Sequence, residues 1–281
     1  MAEMIRKRAG RKGDGDRRGM RAKQQRRNHR FGDQFGMFAA NQGFAQETAN
    51  FEFAIATANR LKPAFLIVTG DLINQAGDTR QVAEYERITA KLDPAIKLYN
   101  VAGNHDVENE PTTESLAAYR KRFGPDYYSF HQGDLVGFVL NSSLIQHPEK
   151  APAEAAKQEK WLRQELEKAA GAKWKVVFQH ISYFLEKPNE ADQYFNIPSA
   201  TRARYLQLFE RYGVTHVFAG HYHRNAYGEA GKLRMITTGP VGMPLGADPS
   251  GLRVVKVTES GIEDRYFGLG NLPVSLTDAW K

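Results

Sequence analysis

Ala64-Phe65-Leu66-Ile67-Val68-Thr69-Gly70-Asp71 is an unbroken apolar run that stops on a glycine and a carboxylate. Its length and branched side chains suit a strand buried on both faces. Pro63, just before it, closes the pattern that precedes it. Three later runs end in a similar way. Ile96 to Val101 leads to Gly103-Asn104-His105-Asp106, Trp174 to Phe178 leads to Gln179-His180, and Val214 to Ala219 leads to Gly220-His221-Tyr222-His223. Each places Asp, Asn or His where the chain leaves a sheet. That is where α/β folds carry their ligands.

Helical patterns lie between these strands. Ala45 to Leu61 places Phe51, Ala54, Ile55 and Ala58 on one face. Thr79 to Leu92 and Thr112 to Arg122 read as helices. Glu154 to Ala169 reads as a charged helix with Trp161, Leu162 and Leu166 inward. Ser199 to Tyr212 is expected to be capped by Ser199 and closed by Gly213. Tyr127 to Phe130 and Leu135 to Asn141 read as a hairpin turning at Gln132-Gly133-Asp134. Leu233 to Thr238, Leu252 to Val257 and Ile262 to Tyr266 add strands. Helices alternate with strands early and strands dominate late. The pattern predicts an α/β fold of two packed sheets with helices outside.

Composition narrows the chemistry. The chain holds no cysteine, which excludes disulfides, thiolate metal sites and thiol catalysis. No apolar run approaches a membrane span. The net charge of +7 invites a nucleic-acid reading, but residues 1–33 hold 12 Lys and Arg against 4 Asp and Glu. The remainder holds 27 basic and 28 acidic residues, so the folded body is close to neutral. Residues 1–33 are expected to form a basic, disordered leader, and 34–281 the folded domain. A basic arm can touch phosphate backbones nonspecifically, yet a neutral body argues against nucleic acid as the partner. No apolar core follows the basic stretch, so it is not expected to act as a signal peptide. As written the chain is expected in the cytoplasm. A different start could carry an export signal.

Taken singly, these segments read as ordinary turns or core positions. Gly-Asp pairs are common at turns, and a lone histidine closing an apolar strand is usually a hydrogen-bonded core residue. Asn104 offers an amide oxygen to a cation. His105 could protonate a leaving oxygen, with Asp106 holding its imidazole. His221 and His223 would point the same way in an extended segment, which suits two adjacent metals. His29, His131, His147 and His216 lack such a setting and read as surface, turn or core residues. Their joint order at successive strand ends makes accident a poor explanation.

The order Gly-Asp, Gly-Asn-His-Asp, His and Gly-His-x-His resembles the calcineurin-like metallophosphoesterase superfamily over about residues 34–270. Gln34-Phe35-Gly36-Met37-Phe38, Gly70-Asp71-Leu72-Ile73 and Gly220-His221-Tyr222-His223-Arg224-Asn225 look most like its small, single-domain Ser/Thr protein phosphatases. The resemblance implies a four-layer αββα sandwich of two mixed β-sheets flanked by helices. It implies a hydrolase for phosphate esters with two divalent ions, Mn, Fe or Zn. Asp71 would bridge the ions. Asn104, His180 and His221 would bind one, and His223 with first-motif residues Asp33 and Gln34 the other. His105 would be the general acid paired with Asp106, and Asn104 and Arg224 would meet the phosphate. The substrate would be a phosphoprotein or a small phosphoester. A nucleotide or small-molecule phosphodiesterase is the alternative.

One segment departs from the pattern. The family opens with an apolar strand ending in Asp. Aligning Gln34-Phe35-Gly36 puts Gly32 at that position and moves Asp33 by one residue. Lys23-Gln24-Gln25-Arg26-Arg27-Asn28-His29-Arg30 cannot sit in a buried sheet. A one-residue shift turns a strand side chain to the other face. Three readings follow. Residues 1–33 are not the natural start, or a local distortion lets Asp33 or Gln34 serve, or the chain is a degenerate relative that binds phosphorylated ligands without turnover.

Overall fold

A computed structural model describes residues 44–281. The leader, the Gly32-Asp33-Gln34 motif and Gln34 to Phe38 lie outside the described residues. The described chain begins with helix α1 (Ala45–Leu61), strand β1 (Phe65–Val68), helix α2 (Thr79–Thr89) and strand β2 (Lys97–Asn100). A four-residue helix α3 (Asn104–Val107) and helix α4 (Thr113–Phe123) follow. Next come β3 (Tyr128–Gln132), β4 (Leu135–Val139), the short α5 (Ser142–Gln146), α6 (Pro152–Lys168) and β5 (Trp174–Phe178). The last part holds α7 (Ser199–Tyr212), β6 (His216–Ala219), β7 (Ala226–Ala230), β8 (Leu233–Thr237), β9 (Gly251–Val257) and β10 (Ile262–Gly268).

Six strands form one mixed sheet in the order β3-β4-β5-β6-β8-β7. Its centre, β4 through β8, is parallel, while β3 and β7 close the two edges antiparallel. The opposing layer comprises parallel β1–β2 and antiparallel β9–β10. Period-two alternation assigns the faces. In β5, Val176 and Phe178 point between the sheets, whereas Val177 points to the outer helices. In β1, Phe65 and Ile67 meet the inter-sheet core, whereas Leu66 and Val68 meet the helices.

The layers follow from this alternation. Leu162 and Leu166 of α6, with Tyr205, Leu208 and Phe209 of α7, cover the outer face of the six-stranded sheet. Phe51 and Ile55 of α1, Tyr85 and Ile88 of α2, and Leu116 and Tyr119 of α4 cover β1–β2. Between the sheets Phe65, Phe130, Phe178 and Phe218 pack as a chain of rings with centroids 5.2–5.9 Å apart along successive contacts. The αββα sandwich expected from the resemblance is therefore present.

The differences are local. β7 reads poorly in sequence because Ala226-Tyr227-Gly228-Glu229-Ala230 is an edge strand with little apolar content. Ser199 does not cap α7. Pro198 holds the cap position without a side-chain bond, and the Ser199 N–H donates instead to Asp192 Oδ1 at 2.7 Å. No described helix is long and apolar enough to cross a membrane.

Candidate active site

Asp71, Asn104, His180 and His221 all follow the C-terminal ends of parallel strands, namely β1, β2, β5 and β6. Ladder bonds continue past those ends. Val101 N–H donates to Val68 O at 3.0 Å, and Gly220 N–H donates to His180 O at 2.9 Å. The loops are thereby held side by side. His180 Nε2 lies 3.1 Å from Asp71 Oδ2, 2.9 Å from Asn104 Oδ1 and 3.2 Å from His221 Nδ1. Asp71, His180 and His221 place one ligand atom each within 4.8 Å of one another. All three are essentially buried, and Asn104 is nearly so.

Two glycines make the approach possible. A Cβ on Gly103 would stand 2.0 Å from Asp71 Oδ1. A Cβ on Gly70 would stand 2.5 Å from His180 Nδ1, and its φ of +103° also favours glycine. Three of the candidate ligands are in the left-handed region: φ is 52° at Asp71, 63° at His221 and 57° at His223. Non-glycine residues rarely adopt it, and such positions concentrate at functional sites.

These angles correct the expected geometry of the last motif. Gly220 to His223 is not extended. Tyr222 N–H folds back to Gly220 O at 2.7 Å, and the two imidazoles take different anchors. His221 Nε2 donates to Tyr194 O at 3.2 Å, and His223 Nδ1 donates to Met243 O at 2.7 Å.

Carbonyl oxygens only accept, so each anchor fixes a tautomer. His180 Nδ1 donates to Thr69 O at 2.9 Å, which leaves Nε2 as the lone-pair nitrogen of the neutral ring. His221 presents Nδ1 by the same logic. Asn104 Nδ2 donates to Asn109 Oδ1 at 2.8 Å and turns Oδ1 inward. A carboxylate oxygen, an amide oxygen and two imidazole lone pairs thus converge on one small volume. Four acceptors in contact repel unless a positive charge lies among them. The set fits a divalent cation with mixed N and O ligands, and the backbone carbonyls are the outer partners such histidines ordinarily have.

The electrostatics agree. Burial opposes ionisation of Asp71, but His180, His105 and His221 outweigh it and draw the carboxyl down to about 2. Burial likewise opposes a charge on His180, yet Asp71 raises its pKa above the ordinary histidine value. Burial, with His180 beside it, pushes His221 down to about 3, and burial pushes His223 to about 4. At neutral pH these last two rings are neutral.

The expected pairing of His105 with Asp106 gives way to another arrangement. The Asp106 carboxylate accepts from the backbone N–H groups of Gly103 (2.8 Å), Ile73 (3.1 Å) and Leu72 (3.2 Å). It ties the β1 loop to the β2 loop. Burial and the nearby Asp71 raise its pKa to about 8 against those three donors. His105 Nδ1 instead donates to Asn74 O at 2.7 Å, and its backbone N–H donates to Asp71 Oδ1 at 3.0 Å. The ring is half-buried at the edge of the cluster. Arg224 is exposed, lies over the Tyr222 ring and donates to Leu245 O at 3.1 Å. Asp33 and Gln34 lie outside the described residues.

Three neighbours escaped the sequence reading. Ser142 Oγ accepts the N–H groups of His180 (3.1 Å) and Ile181 (2.8 Å). Its signal was available: Asn141-Ser142-Ser143 ends an apolar strand, as the motif segments do. Asn109 fixes the Asn104 amide, and Tyr194 stands over His221 with ring centroids 4.8 Å apart. Both sit in loops whose path no periodicity reveals.

Comparison with known proteins agrees with this geometry. The family model for calcineurin-like phosphoesterases matches residues 40–225. The human serine/threonine-protein phosphatase CPPED1 is 40% identical over 236 residues, which cover 81% of this chain and 75% of that protein. The zebrafish CPPED1 is 38% identical, covering 78% and 74%. Among solved structures, purple acid phosphatase PPD1 from yellow lupin superposes with a TM-score of 0.61 at 14% identity, covering 85% of this chain and 51% of that one. A dimetal phosphatase from Danio rerio gives 0.53 at 15% identity, covering 72% and 80%. These structures share the fold. The chain belongs to the calcineurin-like phosphoesterase family, hydrolases that cleave phosphoric esters with the help of metal ions.

Proposed function

We propose that the protein is a phosphomonoesterase that uses two divalent cations and acts on phosphorylated protein side chains. The convergence of Asp71, Asn104, His180 and His221 carries the reading. The serine/threonine phosphatases among its relatives supply the substrate class. Asp71, Asn104, His180 and His221 would hold one cation. His223 would hold the second, with Asp71 shared between them and Asp33 or Gln34 completing the set. When bound, the cations supply Lewis acidity toward the phosphate and a hydroxide nucleophile at neutral pH.

The chain's own residues do the rest. Asn104, already held by Asn109, orients its amide toward the ligand centre and the phosphate. His105 keeps Nδ1 on Asn74 O, so Nε2 is the nitrogen that would give a proton to the departing oxygen. Asp106 positions His105 indirectly by fixing the loop that carries it. Arg224, at the rim, would meet phosphate oxygens.

The test is hydrolysis of p-nitrophenyl phosphate by protein loaded with Mn. Activity should depend on the metal and fall to background in His221→Ala, with metal content near two ions per chain. Activity without metal, or activity untouched by His221→Ala, would overturn the reading. Stoichiometric binding of a phosphopeptide with one ion or none, and no turnover, would favour the degenerate, binding-only relative.

A further inference from the structure

The segment between β5 and α7 begins with the candidate ligand His180 and later returns to the ligand cluster at Tyr194. Its later half is tied down. Asn196 is buried, its Oδ1 accepts the Gln193 N–H at 3.0 Å, and its Nδ2 donates to Glu190 Oε1 at 2.8 Å and to Ala191 O at 3.0 Å. Gln146 of α5 donates to Asn196 O at 3.0 Å, and the Ile197 N–H donates to Ser182 O at 2.9 Å. The buried guanidinium of Arg202 on α7 holds Asp192 at 2.9 Å. Between these ties the Tyr194 side chain is left 55% exposed.

Tyr194 joins candidate ligands that come from different sheets. Its ring lies against the His221 ring with centroids 4.8 Å apart, and its hydroxyl accepts the Asn104 amide at 3.4 Å. A row of rings continues away from Asn104. Phe195 lies 5.1 Å from Tyr194 and 5.6 Å from His221, and Tyr222 lies 5.2 Å from Phe195. The Arg224 guanidinium ends the row, 5.2 Å from the Tyr222 centroid. Neither ligand needs the Tyr194 ring to hold it. His221 is anchored by the Tyr194 carbonyl, which any residue would supply, and Asn109 fixes the Asn104 amide at 2.8 Å. A large aromatic ring left in water forgoes the gain of burial. Here one is held on an anchored segment beside the residue read as a phosphate contact.

We propose that Tyr194, backed by Phe195, forms a leaving-group subsite for an aromatic ring, so that among phosphorylated side chains the protein favours phosphotyrosine over phosphoserine. The proposal rests on the reading of Asp71, Asn104, His180 and His221 as a cation site that receives phosphate. With the phosphate at Asn104, the substrate ring packs on the exposed Tyr194 face, offset or edge-on, with centroids about 4.5–7 Å apart. Phosphoserine offers only a methylene at that place. Water adds to phosphorus as the bond to the phenolic oxygen breaks, and that oxygen leaves as a phenol with the proton that His105 gives.

The test uses full-length protein loaded with Mn and two peptides of one sequence, carrying phosphotyrosine or phosphoserine. Calorimetric binding of phenylphosphonate and methylphosphonate gives a second readout that needs no turnover. The two esters differ in intrinsic reactivity, but that difference cancels when each is compared between parent and variant. Tyr194→Ala should raise KM for the phosphotyrosine peptide about tenfold more than KM for the phosphoserine peptide, the size expected when ring stacking and its buried area are lost. It should weaken phenylphosphonate more than methylphosphonate by a similar factor, at parental metal content. Tyr194→Phe should restore the preference. Equal changes for both peptides, or no rescue by Tyr194→Phe, would show that the side chain merely supports His221 and would overturn the subsite alone. Turnover without a ring preference in the parent would do the same. Binding of phenylphosphonate that depends on Tyr194, with no turnover of either peptide, would uphold the subsite and overturn the catalytic reading. Neither turnover nor phosphonate binding would overturn both.

Discussion

The two sheets carry the same site but are built to different standards. The six-stranded sheet is continuous, its edges are antiparallel, and both faces are covered. It delivers His180 and His221 from adjacent strands. Among the described residues the opposing layer is two separate ribbons beside a cavity, and one of them delivers Asp71 and Asn104. The histidine half of the ligand cluster therefore rests on a packed scaffold. The oxygen half depends on loop-to-loop ties, chiefly the three backbone N–H groups that Asp106 gathers.

That contrast predicts unequal responses to the same kind of damage. Phe138 lies on β4, fully buried against the outer helices. Phe138→Ala should cost about 3–5 kcal/mol, the usual range for emptying an aromatic site in a packed core. Val254, on β9, already borders the cavity. Val254→Ala removes atoms that have few neighbours on one side and should cost no more than about 1 kcal/mol. Urea unfolding of both variants checks this. Equal losses would mean that the two layers are equally well packed.

A smaller change should strike the oxygen half of the site without unfolding the protein. Gly103→Ala would place its Cβ 2.0 Å from Asp71 Oδ1 and 2.1 Å from Asp71 N, so the β1 loop must move. Misplacing a reacting group by about 1 Å can cost on the order of 10²-fold in rate. The expected result is a loss of that size in kcat/KM with weaker metal retention and little change in Tm. Wild-type metal content in this variant would show that the detached ribbon adapts more freely than its ties suggest.

The sequence disclosed the two sheets unequally as well, for a physical reason. Strands buried on both faces announce themselves as apolar runs, so β1, β4, β5 and β6 were legible, and with β1, β5 and β6 the polar residues at their ends. Edge strand β7 was not, because solvent relaxes its composition. Candidate ligands could be named from strand ends, but hydrogen-bond partners could not. The Asp106 carboxylate turns to backbone donors and not to the adjacent imidazole, a choice set by the fold of the β1 loop thirty-odd residues away. The left-handed backbone at His221 and His223 was hidden for a similar reason. Local strain at a site is imposed by surroundings that a linear pattern does not contain.

The subtlest difference between the layers concerns acid. His216 begins β6 inside the continuous sheet. Its ring stacks with Phe218, with centroids 6.2 Å apart and an interplanar angle of 13°. Its Nε2 is buried without a hydrogen-bond partner among the described residues. Burial, and then Arg234, lowers its pKa to about 4. An unfolded imidazole takes up its proton near pH 6.5. Between about 6.5 and about 4 the unfolded state therefore binds more protons than the native state, and stability falls as pH falls through that window. His216→Phe abolishes this titration and keeps an aromatic ring against Phe218. Removing the buried, unpartnered Nε2 offsets the lost bond to Thr215 Oγ1, so its Tm at pH 7.5 should lie near that of the parent. At pH 5 the variant should melt measurably higher than the parent. His221 and His223 titrate in both proteins, so the comparison isolates residue 216. A Tm difference that does not change between pH 7.5 and pH 5 would mean that this end of β6 admits water, and that the six-stranded sheet is less closed than its packing implies.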